Sequence, residues 1–255
     1  MIVKIDDTKR VESLFSNWQE TLIWSCLQNI MGDIYVDCLE NPNSAMAILG
    51  DFCFFSGQPS EELVLYKPND CKNDFIIMVP QNDKWAEMIR RLYRDKAKQV
   101  KRYAIKKEQH VFDKDKLQKV VDSLSPEYSL KMIDESIFNL CRNSSWSMDL
   151  VSQYTDYDRY KELGIGVAIL KDGTLVSGAS AYSRYRDGIE IEIDTQKNHR
   201  RKSLAYVCGA KLILECLERE LYPSWDAQNM WSVALAQKLG YHYDHEYLAY
   251  EISEY

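Results

Sequence analysis

The stretch of residues 164–195 constrains the fold most. Two turn triplets, Lys171-Asp172-Gly173 and Arg186-Asp187-Gly188, cut it into three segments. The last segment, Ile189-Glu190-Ile191-Glu192-Ile193-Asp194-Thr195, alternates apolar and acidic residues with a period of two. Successive strand side chains point to opposite faces, so this pattern is a strand with an apolar and an acidic face. Asp-Gly turns join antiparallel neighbours. The spacing therefore predicts an antiparallel meander over 166–170, 175–184 and 189–195.

Downstream, Val207, Ala210, Leu214 and Leu217 recur at helical spacing in a helix over 204–220. A strand over 222–225, a helix over 230–239 and a strand over 245–252 follow. The order β-β-β-α-β-α-β is α/β with a mixed, mostly antiparallel sheet flanked by helices. Upstream, residues 7–28 read as two helices, 33–36 and 45–55 as a hairpin through Asn41-Pro42-Asn43-Ser44, and 75–79 as a buried strand. A helix over 84–93, a strand over 100–107 and a helix over 113–124 complete this half. The expected division is an N-terminal α/β lobe, 1–125, and a catalytic lobe, 126–255. A short echo links the halves. Phe75 to Asn82, Trp85, Leu92-Tyr93 and Tyr103-Ala104-Ile105 mirror Gln228-Asn229, Trp231, Gly240-Tyr241 and Leu248-Ala249-Tyr250.

Composition narrows the function classes. With 45% hydrophobic and 28% charged residues the chain can bury a core. Runs such as Phe75 to Val79 fall far short of the ~20 apolar residues of a membrane span, and the N-terminus lacks the order of a signal peptide. A soluble, cytoplasmic protein without a membrane partner is expected. The seven cysteines are scattered singly, none at zinc-ligand spacing with a His, which predicts reduced thiols and no metal. A net charge of -7 argues against a nucleic-acid partner. The basic stretch 84–119 reads as a solvated face, with RNA binding as the minority alternative.

The segment with the most chemistry is Thr195-Gln196-Lys197-Asn198-His199-Arg200-Arg201-Lys202-Ser203-Leu204-Ala205, a strand end and basic loop entering a helix. The first N–H groups of a helix lack internal partners and carry the positive end of its dipole, which suits a pyrophosphate. Ser203 as a simple N-cap on a solvated basic surface is the competing reading.

The run Arg200-x-x-Ser203-x-Ala205 resembles the Arg/Gln-x-x-Gly-x-Gly/Ala loop of the GNAT superfamily of acyl-CoA-dependent N-acyltransferases. Asn229-x-x-Ser232, Leu235 and Lys238-Leu239-Gly240-Tyr241 are similar to the family's next helix signature, although Asn229 and Gly240 also suit plain helix caps. The resemblance covers about residues 164–252. Ile133-Asp134-Glu135, Trp146-Ser147 and Tyr222 to Ala227 look like a bacterial subgroup that includes zwittermicin A resistance acetyltransferases and carries an N-terminal extension. The resemblance implies acetyl-CoA as donor, with Arg200, Arg201, Lys202, Ser203, Leu204 and Ala205 at the pyrophosphate. Ile193, Asp194 and Thr195 would lie along the thioester and pantetheine, and Asn229 and Ser232 on the donor from the last helix.

Two departures accompany it. Ser203 stands where the loop usually has Gly, which would strain a left-handed backbone. Ala236 stands where many relatives have a Tyr that protonates the leaving thiolate. Glu192 is the first candidate for general base and Glu190 the second, provided the acidic face lines a cleft; solvent exposure of that face is the alternative. Asp226 would hold a cationic amine and Trp225 wall the acceptor site, unless Trp225 is simply buried. His199 lies within the loop and is not assigned. The expected function is acetyl transfer to a primary amine of a small, antibiotic-like acceptor, hence antibiotic resistance. The alternative is a catalytically silent acyl-CoA sensor. Oligomeric state stays open, a homodimer among the possibilities.

Overall fold

The computed structural model, which describes residues 1–69, 71–72 and 74–255, divides the chain at 102/103 and again at 245/246. The sequence reading put the boundary near 125. The difference lies in the helix at 114–122, whose Leu117 is buried in the core of the second unit.

The first unit comprises Met1–Arg102 and Glu246–Tyr255. Its elements are β1 (Val3–Lys4), α1 (Thr21–Leu27), β2 (Asp33–Val36), β3 (Ser44–Leu49), β4 (Phe52–Gly57), α2 (Glu61–Val64), β5 (Phe75–Pro80), α3 (Asp83–Tyr93) and β6 (Ala97–Ile105), whose end belongs to the second unit. Two expectations are corrected. Residues 7–28 hold one α-helix rather than two: the first half forms a 3-10 turn, Thr8–Arg10, and further i to i+3 turns that still bury Val11 and Phe15. Ser13, Ser16 and Asn17 favour turns there over helix. Residues 45–55 are two strands, because Gly50, at φ 58°, reverses the chain inside an otherwise apolar run. The core packs Met46, Phe55, Met78, Trp85 and Ile89 with Tyr250 and Ile252 from the C-terminus.

The second unit, Tyr103–His245, contains α4 (Lys114–Asp122), β7 (Ser129–Met132), α5 (Glu135–Arg142), α6 (Tyr157–Leu163), β8 (Gly166–Lys171), β9 (Thr174–Tyr185) and β10 (Gly188–Thr195). It continues with α7 (Leu204–Glu218), β11 (Tyr222–Ser224), β12 (Asp226–Ala227), α8 (Met230–Leu239) and the start of β13 (Tyr243–Ser253). Asp172 and Gly173 take left-handed backbone, φ 49° and 78°, as a tight hairpin requires. Ile189 and Ile191 pack with Val207, Ala210 and Leu214 of α7 and with Trp225 and Leu239. This core includes two cysteines, Cys208 and Cys216, whose thiols burial pushes up to about 12. Among the described residues the cysteines are free thiols.

The two units share one topology. In the first, β1 to β4 form an antiparallel meander and β5 joins β4 in parallel. In the second, β7 to β10 form the meander and β11 joins β10 in parallel. A helix precedes each parallel strand and another follows it. The final strand departs from the expected single sheet: β13 pairs with β5, while β12 pairs with residues 103–104 of β6. Each unit is thus completed by a strand from the far end of its sequence.

Candidate active site

The site is built on β10. Along it Glu190 lies opposite Ser183 of β9, but Ile191 lies opposite Ala181, so β9 carries an extra residue, Tyr182. This bulge keeps Ala179 and Ala181 on the isoleucine face and Ser180 and Gly178 beside Glu192 and Asp194. The acidic face is covered rather than solvated. A Cβ at Gly178 would lie 2.6 Å from Leu150, in the Met148–Leu150 turn that packs on β9 and β10. Glu190 is 7% exposed, and Glu192 and Asp194 are half-buried. Burial raises the Asp149 carboxyl above its ordinary value, and the nearby Asp194 adds to this.

Ser180, the cross-strand neighbour of Glu192, is held by Tyr160, whose hydroxyl lies 2.9 Å from Ser180 Oγ. Tyr160 reaches it over Gly166, where an added Cβ would meet Ser180 Oγ at 2.8 Å as well as the phenol oxygen. Gly166→Ala is therefore expected to destabilise the second unit by about 1–3 kcal/mol, the usual cost of overpacking; a urea midpoint equal to wild type would contradict this contact.

One edge of β10 is unpaired along its outer half. β11 runs beside it only from Gly188 to Glu190, and among the described residues no strand pairs with that edge over 192–195. Gln196 gives its N–H to Val176 on β9, while Asp187 accepts from Tyr222 on the other side. By alternation, the amides of Ile191, Ile193 and Thr195 face this side, and the parallel register of Glu190 with Ser224 gives the Ile191 N–H to Ser224 O. Thr195 is the exception in practice: its N–H is closed by its neighbour Asp194 Oδ1 at 2.6 Å and its hydroxyl lies 2.7 Å from Ser177. Ile193 therefore presents the free N–H of this edge, and the Asp194 side chain shapes the loop.

Beyond the strand, Arg200 Nε donates to Thr195 O at 3.0 Å, and its guanidinium lies 3.5 Å from Asp194 Oδ1. The exposed Arg201 and Lys202 lead to Ser203, which sits in the left-handed region at φ 61°, ψ 11°. As a result Ser203 makes no side-chain cap, which corrects the reading of it as an N-cap, and α7 carries no acidic residue in its first turn. The N–H groups of Leu204, Ala205 and Tyr206 are left for an anion. Leu204 offers only this backbone, since its side chain is in the core. A non-glycine residue pays about 1–2 kcal/mol in left-handed backbone, so Ser203→Gly is expected to raise stability by about 1 kcal/mol, visible as a higher Tm. An unchanged or lower Tm would contradict the strain.

At α8, Asn229 is an N-cap accepting from Ser232 N at 3.0 Å, and Gly240 at φ 112° ends the helix. Trp225, expected to wall an acceptor site, is instead a core residue. It is 5% exposed, packs edge-on against Tyr241, and gives its indole N–H to Ser232 Oγ at 3.0 Å. Its apolar ring is better buried where the N–H finds a partner. Asp226, half-buried, belongs to the β12 and β6 pair opposite Ala104. Ala236 is fully buried. His199 packs edge-on to Tyr128, 6.3 Å between ring centroids. Among the described residues no cluster of His, Cys, Asp or Glu has the form of a metal site, and no helix is long and apolar enough to cross a membrane.

The first unit has the same topology without these features. There β4 and β5 stay paired out to Phe55 and Pro80, and Gly57 N donates to Gln81 Oε1. Its α2 is a single turn, capped by Ser60 and carrying Glu61 and Glu62 where an anion would sit.

Comparison with known proteins gives the following. A family model described as GNAT acetyltransferase matches residues 12–250. An uncharacterized N-acetyltransferase of Bacillus subtilis (strain 168), YdfB, is 27% identical over 252 residues, 90% of this chain and 89% of its own. The crystal structure of a GCN5-related N-acetyltransferase-like protein from Streptococcus suis 89/1591 is 46% identical with a TM-score of 0.91, over 97% of this chain and 98% of that one. A tandem GNAT protein from the clavulanic acid biosynthesis pathway shares the fold at 10% identity, with a TM-score of 0.57 over 100% of this chain and 98% of that one.

Proposed function

The chain belongs to the GNAT acetyltransferase family and is an N-acetyltransferase that transfers an acyl group from acyl-CoA; from this we propose that it acetylates a primary amine of a small, hydroxyl-rich, antibiotic-like acceptor. The observation that carries the reading is the unpaired edge of β10, which runs from the uncapped start of α7 to the carboxylates of Glu192 and Glu190. Pyrophosphate on the N–H groups of Leu204 to Tyr206 leads the pantetheine along this edge. There the Ile193 N–H polarises the thioester carbonyl. Glu192 takes a proton from the attacking amine, directly or through water, with Glu190 as the deeper carboxylate.

Charge supports an amine acceptor. From Trp146 onward the chain holds 12 Lys and Arg against 17 Asp and Glu, and the half-buried Glu192 and Asp194 attract a cation. A panel of aminopolyols, aminoglycosides, polyamines and short peptides, incubated with acetyl-CoA and read by thiol release, tests the reading. Turnover of the aminopolyols is the expected result; turnover confined to peptides, or to none of the panel, would overturn the acceptor class.

A further inference from the structure

His199 takes no part in the proposed chemistry, yet it stands in the loop that holds the pyrophosphate. That loop is strained. Arg201 and Ser203 both take left-handed backbone, φ 62° and 61°, which residues with a Cβ resist and keep only where their surroundings impose it. Mutual repulsion among Lys197, Arg200, Arg201 and Lys202 also loosens it. The ends of the loop are fixed: Gln196 gives its N–H to Val176 O on β9, and the Leu204 side chain lies in the core. Between these ends, among the described residues, the Arg200 side chain reaches only Asp194 and Thr195, on the strand that the loop leaves.

His199 ties the loop to a different strand. Its half-buried imidazole packs edge-on against Tyr128, with 82° between the planes and 6.3 Å between centroids, within the range of a favourable ring pair. Tyr128 is a firm support. It immediately precedes β7, gives its N–H to Ser125 O at 3.0 Å, and has the Lys171 ammonium over its ring at 5.5 Å. Lys171, at the β8–β9 hairpin, is in turn paired with Glu127 at 2.5 Å. That pairing holds the Glu127 carboxyl below its ordinary range, and Lys202 and His199 of the loop add to it. The contact is one of rings and not of hydrogen bonds: the Tyr128 hydroxyl and His199 Nδ1 are both buried, and among the described residues neither has a hydrogen-bond partner. Buried polar atoms without partners cost stability. Stability alone would therefore not favour this pair over two phenylalanines.

We propose that His199 is a positioning residue for the donor, a role that rests on the proposed pyrophosphate site at α7. Seated on Tyr128, its ring holds Arg201 and Ser203 in the left-handed form that leaves the N–H groups of Leu204 to Tyr206 uncapped. Without the tie the backbone relaxes, and Ser203 returns to the extended form in which its hydroxyl caps the helix. The cap then competes with the pyrophosphate for the same N–H groups. Only the fraction of molecules that keeps the uncapped loop binds the donor, and apparent affinity falls by that fraction.

The test is calorimetric titration of the full chain with acetyl-CoA, with Tm measured on each variant. His199→Ala should bind about tenfold more weakly, the factor for a loop that keeps its binding form about a tenth of the time. Tyr128→Ala should match it, and the double variant should lose little more, because both substitutions remove one contact. His199→Phe keeps the ring and removes the unpartnered nitrogen, so it should bind within about twofold of wild type and melt no lower. An affinity of His199→Ala equal to wild type overturns the role of His199. So does His199→Phe as weak as His199→Ala, which would assign the work to the imidazole nitrogens instead of the ring. Failure of wild type to bind acetyl-CoA overturns the pyrophosphate site itself, and with it this role.

Discussion

Glu192→Gln should lower kcat by about 10²–10⁴-fold, the range for loss of a general base, while acetyl-CoA binds as in wild type. The substitution keeps the shape and the hydrogen-bonding reach of the side chain but removes its capacity to take a proton. The carboxylate stands on the covered face of β10 beside Ser180, whereas the donor reads the backbone edge of the same strand. Binding and turnover should therefore separate. A variant that turned over at the wild-type rate would move the base to Glu190, and the same measurement on Glu190→Gln would decide it.

Ser203→Glu should weaken acetyl-CoA roughly 100-fold or more. A carboxylate at the mouth of α7 competes for the N–H groups of Leu204 to Tyr206 and repels the pyrophosphate; at a separation near 4 Å and an effective dielectric of about 20 each unit pair costs about 4 kcal/mol. Loss of folding does not account for such an effect, since Ser203 already holds the left-handed backbone that any non-glycine residue resists. Ser203→Gly is the matched control and should bind at least as tightly as wild type. Equal affinity of the Glu variant would show that the pyrophosphate lies elsewhere.

Periodicity and turn chemistry made the acidic strand and its hairpins legible, because Asp172-Gly173 and the alternating isoleucines report local geometry. The same signals identify neither edges nor partners. That the Ile193 N–H is left free depends on where β11 stops pairing, after Glu190, and nothing in residues 188–195 records it. The bulge at Tyr182 adds a residue without breaking the local pattern. Trp225 was misplaced because a Trp near an acceptor strand reads equally as wall or core, and the Ser232 hydroxyl that satisfies its N–H lies seven residues on. The cover over the acidic face, from Leu150 to Tyr160, comes from the Met148–Leu150 turn and the short helix α6, whose periodicity is weak; only the tight glycines at 164 and 166 hint at it.

The N-terminal half shows the opposite balance. A few shared residues suggested an echo, and the strand order repeats in full, from β1 to β5 and again from β7 to β11. The exchange of last strands, with β13 beside β5, was invisible because it joins segments about 175 residues apart. The first unit repeats the strand order and differs at the two places that build the site in the second. Gln81 closes the strand end that Ile193 leaves free, and Glu61 and Glu62 stand where α7 begins without acids.

Calorimetric titration of the purified full chain with acetyl-CoA tests the central claim most directly. The account predicts saturable binding at one site per chain, weakened in Arg200→Ala, which loosens the loop from Thr195, and more so in Ser203→Glu. Absence of binding by wild type, or two equivalent sites per chain, would contradict it.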